Sequence, residues 1–467
     1  KSIEFAQVVV QFVFDHLDRI DTIAPMHPVG LGHRFGFNFA HRTLLGSPDK
    51  PAQNWLTARH TTAHTVSIRF PYGFHTPRQP CKTRPALPFW TLGKGVHMHN
   101  VAITGTGVFT PAQTITNDEL VAAFNAHADL FNAQNADAIT AGTIDAKPHS
   151  SSEFIVAASG IEQRYVMDKA GVLDPARMYP RLPERADDAP SIMAEMGVDA
   201  ARTALNGKDP ATVDLVLCAA SNHERAYPAI AVEIQQLLGT SGFAFDMNVA
   251  CSSATFGIQT AADMIRAGSI NSALVVCPEI CSAHLEWRDR DCHFIFGDVA
   301  TAVLLERDEN LQALYFKVKS TRCATQFSNN IRNNNGFLRR THDQMNDRRD
   351  MQFMQNGRKV FKEVLPLVSK HIADHMEAEG VQAADLKRLW LHQANKTMND
   401  YIGKKVLGRD PEPGEQPNIL QDYANTSSAG SIIAFSKHSD DLTAGDMGLI
   451  CSFGAGYSVG SVIVERA

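Results

Sequence analysis

From Met98 onward the apolar positions alternate between two rhythms. Short unbroken runs, "VDLVLCAAS" (213–221), "FAFDMNVA" (243–250), "SALVVCPEI" (272–280) and "ATAVLLER" (300–307), read as buried strands. Between them "PAIAVEIQQLLG" (228–239) and "SSATFGIQTAADMIRAGSI" (252–270) space their apolar residues three to four apart, as helices do. The first has Pro near its start and Gly at its end; the second is predicted to stop at Gly268. Farther on come a helix "KVFKEVLPLVSKHIADHMEAEG" (359–380), a strand opening "LKRLWLHQAN" (386–395) and a helix "KTMNDYIGKKVLG" (396–408). After "YANTSSAGSIIAFSKHSDDLTAG" the strands "MGLICSFG" and "GSVIVER" finish the chain. Alternating strands and helices predict an α/β fold. Residues 326–351, polar and rich in Asn and Arg, read as a surface excursion.

One phrase occurs twice. "NVACSSATFG" (248–257) and "YANTSSAGSI" (423–432) share Ser-Ser-Ala, with Asn425 near the place that Cys251 takes in the first. Each opens a helix that runs to an Ala-Gly and then a strand, over 16 residues from Ser252 to Gly268 and 18 from Ser427 to Gly445. The parallel predicts two related halves, residues 98–310 and 311–467.

Residues 1–97 differ from the rest. They hold eight of the 19 histidines, with many Pro, Arg and Thr, and no acid follows Asp49. They are expected to be an upstream extension without a folded role, such as a misplaced start produces. A transit peptide suits the arginines and missing acids, but not the Trp, Pro and His content or the length.

Net charge is −6 with 44% hydrophobic and 20% charged residues, which gives no support to general nucleic-acid binding. The eight cysteines form no paired zinc spacing and no short disulfide framework, so a reduced, cytoplasmic protein is expected. No apolar run approaches the ~18 residues of a membrane span. "GTGVFTP" (105–111) has Thr110 where a dinucleotide fingerprint needs its third glycine. His371 and His375 are four apart on a polar helix without a third ligand, and read as surface histidines rather than zinc ligands. Gly297 and Asp298 read as a structural turn. No metal or cofactor is expected.

The chemistry then rests on Cys251. It lies where a strand gives way to a helix, and a helix N-terminus lowers a thiol from its usual ~8.5 by favouring the thiolate. Small neighbours, Ala250 and Ser252 to Ala254, leave space for a substrate. His392 follows the apolar strand "LWL"; alone it reads as structural, as Asn425 alone reads as a helix cap. If the halves pack about a pseudo-twofold axis, their strand ends bring Cys251 to His392 and Asn425.

"ACSSATFG", "HQAN", "YANTSSAGS" and the glycine turn "SFGAGYSVG", in that order, resemble the signature of the β-ketoacyl-acyl-carrier-protein synthase III family of the thiolase superfamily. The resemblance runs from Met98 to the C-terminus. "MHNVAITGTGVFTP", "NDELVAAFNAHADLFNAQNADAI" and "PERADDAPSIMAEMGVDAA" are similar to its β-ketodecanoyl branch, which is primed by octanoyl-CoA. The implied fold is thiolase-like: two duplicated βαβαβαββ halves in a layered α-β-α-β-α sandwich. The implied reaction joins an acyl-CoA to malonyl-acyl-carrier protein with loss of carbon dioxide, in a homodimer. Cys251 is then the nucleophile, His392 and Asn425 donate to the enolate oxygen, and the N–H groups of Cys251 and Gly456 form the oxyanion hole. The family's adenine-stacking Trp is matched by Phe154 and a phosphate-binding Arg by Ala158, whose side chain has no group to meet a phosphate; Arg290 is expected to flank the adenine. Asn395 corresponds to a pantetheine-positioning residue, and Ser221, Cys281 and Phe296 to the acyl pocket. Lys404 and Lys405 match a basic patch that meets the carrier protein, against the alternative of a solvated helix face. The rival readings are an acetyl-CoA-primed initiator or specialised-metabolite synthase of this fold, a cysteine hydrolase, and a non-catalytic acyl-binding relative.

Overall fold

The structure, a computed structural model, describes residues 98–309, 311, 315–334 and 348–467. The expected N-terminal extension, residues 1–97, lies outside the described residues. The apolar runs form strands β1 (Val101–Phe109), β2 (Gln113–Thr116), β3 (Gln163–Val166), β4 (Leu215–Ala219), β5 (Phe243–Met247), β6 (Ser272–Glu279) and β7 (Val299–Arg307). The second set is β8 (Phe316–Ser328), β9 (Ile331–Arg332), β10 (Met354–Gln355), β11 (Leu386–Leu391), β12 (Met447–Gly454) and β13 (Gly456–Arg466). Every residue of β4 and β6 is buried, which is why neither shows the alternation of a half-exposed strand.

Nine strands make one mixed sheet in the order β11-β12-β13-β8-β1-β7-β6-β4-β5. β2 with β3 and β9 with β10 form two small ribbons. β4 runs parallel to β5 and β6, β6 antiparallel to β7, and β7 antiparallel to β1. β11 runs parallel to β12, β12 antiparallel to β13, and β13 antiparallel to β8. The second path repeats the first with one strand fewer. The expected βαβαβαββ pattern therefore holds for the first half, whereas the second has no counterpart of β5 among the described residues. There the chain makes a single bridge, Asn425 to Phe296. The outer side of β11 is met instead by a loop, with the Leu389 N–H donating to the Glu415 carbonyl at 2.7 Å.

The layering follows from which residues pack together. Helices Ser253–Arg266 and Gly430–Lys437 supply Ile258, Ala261, Ile265, Ile432, Ile433 and Phe435 to a core shared by both groups of strands. Trp390 of β11 anchors it, its ring edge-on to Phe435 with centroids 4.8 Å apart. On the opposite faces, helices Ile192–Leu205 and Ile230–Leu238 cover β4, β6 and β7, and helices Gly357–Glu379 and Lys396–Leu407 cover β11 to β13. Helix, strand, helix, strand, helix is the five-layer sandwich of the thiolase-like fold.

Two expectations are corrected. His371 and His375 are not surface residues: both are buried against β13 and hydrogen-bond Ser461 Oγ, at 3.0 and 2.7 Å. The excursion at 326–351 begins inside β8, and its described part continues into β9. Asp298, by contrast, is the structural turn expected: fully buried, it accepts from Met167 N–H and from the Ser282 N–H and hydroxyl.

Candidate active site

Two turns of one shape build the site. After β5, Asn248 Oδ1 accepts the Ala250 N–H (3.0 Å), Ala250 takes a left-handed φ of 48°, and a 3-10 turn Ala250–Ser252 leads into the helix. In the second half Asn425 Oδ1 accepts the Ser427 N–H (2.9 Å), Ser427 takes a φ of 51°, and a 3-10 turn Ser427–Ala429 leads into its helix. A left-handed φ at a non-glycine residue costs about 1–3 kcal/mol, and the surrounding packing imposes it twice. This register corrects the one the repeated Ser-Ser-Ala suggests. Asn425 is the counterpart of Asn248, and the residue matching Cys251 is Ser428.

Cys251 keeps partial exposure at the tip of its turn. The Ser427 hydroxyl donates to its sulfur at 3.5 Å, and the N–H groups of Ala455 and of Cys251 itself also face it. Gly454 closes in from β12: a Cβ there would lie 2.6 Å from the Cys251 Cβ, so no larger residue fits without movement. Ala455, one position before the expected Gly456, is thus the residue whose N–H reaches the sulfur; Gly456 follows with a φ of 127°. The thiol is not lowered as the helix start alone predicts. Burial pushes it up to about 11, with a smaller upward push from Glu279, against the three hydrogen-bond donors.

His392 sits at the end of β11, its N–H donating to the Cys451 carbonyl of β12 at 2.7 Å. Its ring is 2% exposed and edge-on to Phe453, at 5.1 Å between centroids. Phe453 and Gly454 are neighbours in β12, so the strand end that carries His392 on one residue carries Cys251 on the next. Burial alone pushes the imidazole down to about 3, leaving it neutral, and Nδ1 has no hydrogen-bond partner among the described residues. Asn425 is held on both sides. Its N–H donates to the Ile295 carbonyl (2.9 Å) and its Oδ1 is taken by Ser427, so the carboxamide nitrogen is the polar group left over.

Glu279, the last residue of β6, went unmarked in the sequence. It is 1% exposed and accepts from the N–H and hydroxyl of both Ser221 and Ser428. It thereby ties the end of β4 to the second-half turn beside Cys251. Burial pushes its carboxyl up to about 7. A single acid closing an otherwise apolar strand run is the only trace it leaves in the sequence.

The remaining expected residues fall into separate groups. Ser221 and Cys281 both point at the Glu279 carboxylate, and Cys281 shares an apolar cluster with Phe296. Phe154 and Arg290 meet directly, the guanidinium carbon 4.1 Å from the ring centroid, and Phe154 packs edge-on to Phe294. Asn395 caps helix Lys396–Leu407 and donates to the Ala158 carbonyl at 2.6 Å, joining the Phe154 helix to the His392 segment. Lys404 and Lys405 are exposed at the other end of that helix, about 13 Å along its axis. Lys404 pairs with Asp410 at 2.9 Å, while Lys405 lies near the Tyr401 ring.

A family model described as 3-oxoacyl-[acyl-carrier-protein (ACP)] synthase III matches residues 245–321, and its C-terminal model matches residues 376–466. A beta-ketodecanoyl-[acyl-carrier-protein] synthase of Pseudomonas aeruginosa is 55% identical over 346 residues, covering 73% of this chain and 99% of the relative. A beta-ketoacyl-[acyl-carrier-protein] synthase III of Agrobacterium fabrum is 30% identical, covering 70% of this chain and 94% of the relative. Among solved structures, a 3-oxoacyl-[acyl-carrier-protein] synthase III from Aquifex aeolicus superposes with a TM-score of 0.62 at 22% identity, over 78% of this chain and 99% of that one. The priming β-ketosynthase of the R1128 polyketide pathway does so with 0.64 at 22% identity, over 82% and 98%. These two likenesses show the fold.

Proposed function

The chain belongs to the 3-oxoacyl-[acyl-carrier-protein] synthase III family, and on that premise we propose that it joins an acyl-CoA, octanoyl-CoA by preference, to malonyl-acyl-carrier protein. The protein is an acyltransferase of fatty-acid synthesis. The observation that carries the reading is the pair of like turns, one presenting the partly exposed residue Cys251 and the other an amide, beside a neutral histidine.

In the first half-reaction the Cys251 sulfur attacks the thioester carbonyl. A carbon–sulfur bond to the enzyme forms, the bond to coenzyme A breaks, and the cysteine proton leaves with the departing thiol. The carbonyl oxygen gathers negative charge near the N–H groups of Cys251 and of the Ala455–Gly456 segment. Malonyl-carrier protein then loses carbon dioxide, and the electron pair becomes an enolate on its thioester oxygen. A neutral His392, donating from Nε2, and the Asn425 carboxamide nitrogen stabilise that oxygen. The enolate carbon attacks the acyl-enzyme, freeing Cys251 and a 3-oxoacyl-carrier protein two carbons longer. Residues 98–310 supply the nucleophile and 311–467 the two donors. Asn395 orients the pantetheine arm, Phe296, Cys281 and Ser221 border the acyl chain, and Lys404 and Lys405 meet the acidic carrier protein. Two copies act together, paired along the free edge of β5, where Phe243 is 45% exposed and stacked on Phe245. A reducing compartment, the cytoplasm, suits seven free cysteines among the described residues. No described helix is long and apolar enough to cross a membrane.

Weighing the intact chain after incubation with acyl-CoAs of graded length tests the reaction. We expect one acyl adduct, largest for eight carbons, absent in Cys251→Ala and discharged only by malonyl-carrier protein. Discharge by water alone makes the protein a hydrolase instead. Weighed without denaturation, the protein is expected at twice its chain mass.

A further inference from the structure

A thiol, an imidazole and a carboxylate meet at the β4–β5 edge of the sheet, outside the machinery described above. The Cys218 Sγ, a ring nitrogen of His223 and a carboxylate oxygen of Asp246 all lie within 4.8 Å of one another. Cys218 and Asp246 are register partners in the parallel pair β4–β5, so their side chains leave the sheet on one face. His223 joins them from the segment that follows β4. In the chain the three stand five and 23 residues apart, which no linear metal motif announces. Each donor has capacity left. The His223 Nε2 is shielded from solvent without a hydrogen-bond partner among the described residues, and Asp246 Oδ2, at 3.9 Å, is too far to supply one. The two Asp246 oxygens accept the Ile230 and Ala231 N–H groups at 2.9 and 2.8 Å, one apiece, whereas a carboxylate has about four acceptor positions. Cys218 is fully buried, and burial, then the nearby Asp246, pushes its thiol well up.

A divalent cation fits such a gap where a proton does not. Ligands of a tetrahedral zinc ion, each about 2.0–2.3 Å from the metal, stand about 3.4–3.6 Å from one another, so shifts on the order of 1 Å close the triad. Thiolate with imidazole favours zinc over magnesium or calcium, and three protein donors leave a fourth position to water. The positive charge also offsets the repulsion between Asp246 and a Cys218 thiolate. We propose that Cys218, His223 and Asp246 bind a zinc ion, the Cys218 proton passing to solvent as its sulfur joins the metal. The ion's effect falls on the segment after β4. Asn248 already ties that segment to the Cys251 turn, its Nδ2 donating to the Ser221 carbonyl at 2.8 Å. Zinc adds a second tie, to β5, two residues farther on at His223, and so steadies the border that Ser221 forms.

The test is metal uptake by the full chain, stripped with a chelator and dialysed against zinc. Elemental analysis should find one more equivalent of zinc in the natural chain than in Cys218→Ser or His223→Ala. Reading the difference removes zinc held by other histidines, eight of which precede Met98. Cobalt(II) in place of zinc should give a thiolate-to-metal absorption band in the near ultraviolet. Cys218→Ser should abolish that band and Cys251→Ala should keep it, which separates this site from the nucleophile. In competition with a chromophoric chelator, Asp246→Asn, which retains an oxygen for the Ile230 and Ala231 N–H groups, should bind zinc at least tenfold more weakly. Zinc should raise the melting temperature of the natural chain by a few degrees and leave that of His223→Ala where it was. The His223 Nε2 has no hydrogen bond to lose, so without metal the two chains should melt together, which establishes that His223→Ala folds. Equal zinc in the natural chain and both variants, or a cobalt band that survives Cys218→Ser, overturns the site. A band lost only in Cys251→Ala places the metal on the nucleophile and overturns it as well.

Discussion

Burial decides what His392 is able to contribute. With its imidazole pushed down to about 3, it stays neutral across the physiological range and, in the proposed reaction, serves as a hydrogen-bond donor rather than as a stored proton. Asn425, its Oδ1 already committed to Ser427, offers only its N–H2 side. Both are therefore suited to an oxygen that gains charge, and neither is suited to removing the Cys251 proton. His392→Ala and Asn425→Ala should each slow condensation by ~10²–10³, the usual worth of one such donor, while slowing acylation far less. Rapid-quench measurement of the two half-reactions checks this, and equal loss in both would remove the assigned roles. Cys251, His392 and Asn425 were legible in the sequence only through the family motifs that hold them, since alone His392 reads as structural and Asn425 as a helix cap. Their register was not. Ser-Ser-Ala aligns the two phrases by eye, whereas the backbone aligns Asn248 with Asn425, through a hydrogen bond two residues along that no residue identity announces. Glu279 escaped for a related reason: its partners, Ser221 and Ser428, come from distant parts of the chain.

At the scale of elements, the site depends on how closely β12 approaches the Cys251 turn. Gly454 allows that approach, because a Cβ there would meet the Cys251 Cβ at 2.6 Å and its sulfur at 3.0 Å. Gly454→Ala should displace the turn, cut acylation at least tenfold and slow alkylation of Cys251 by iodoacetamide, while the melting temperature falls only a few degrees. Normal acylation in that variant would mean that the turn tolerates the shift. The strands themselves were easy to read. "VDLVLCAAS" and "SALVVCPEI" contain β4 and β6, since a strand covered on both faces must be apolar throughout. The missing strand of the second half was not foreseen, because the duplicated phrase suggested complete repetition. Pro411, Pro413, Gly414 and Pro417 stand just before that place, and such a stretch does not form a strand with neighbours on both sides.

For the molecule as a whole, the buried titratable groups set a dependence on pH. His284, His293, His371 and His375 are pushed down to about 4 and His392 to about 3, so the folded state binds fewer protons than the unfolded chain. Their contribution is complete above about 6.5 and is lost as pH falls toward 4. Glu279 and Asp298, pushed up to about 7 and 6, act in the opposite sense: their contribution is complete below about 4 and is lost as pH rises through those values. With five histidines against two acids, the melting temperature should fall between pH 6.5 and 4.5. His375→Gln, which keeps a polar partner for Ser461, should flatten that fall. A melting temperature constant over this interval would show that the imidazoles reach solvent. The five-layer order was implied by the family resemblance, whereas the burial of His371 and His375 was not foreseen: their helix looks polar along its length, and only the packed structure shows which side faces β13.

The uneven length of the two halves also limits how copies of this chain assemble. One border of the main sheet is sealed where Glu415 occupies Leu389, and the other, along β5, is bare among the described residues. A ribbon that grows by adding strands needs two open margins. With a single one, the proposed pairing along β5 would leave the main sheet no bare margin among the described residues, and growth into a fibre would stop at two copies.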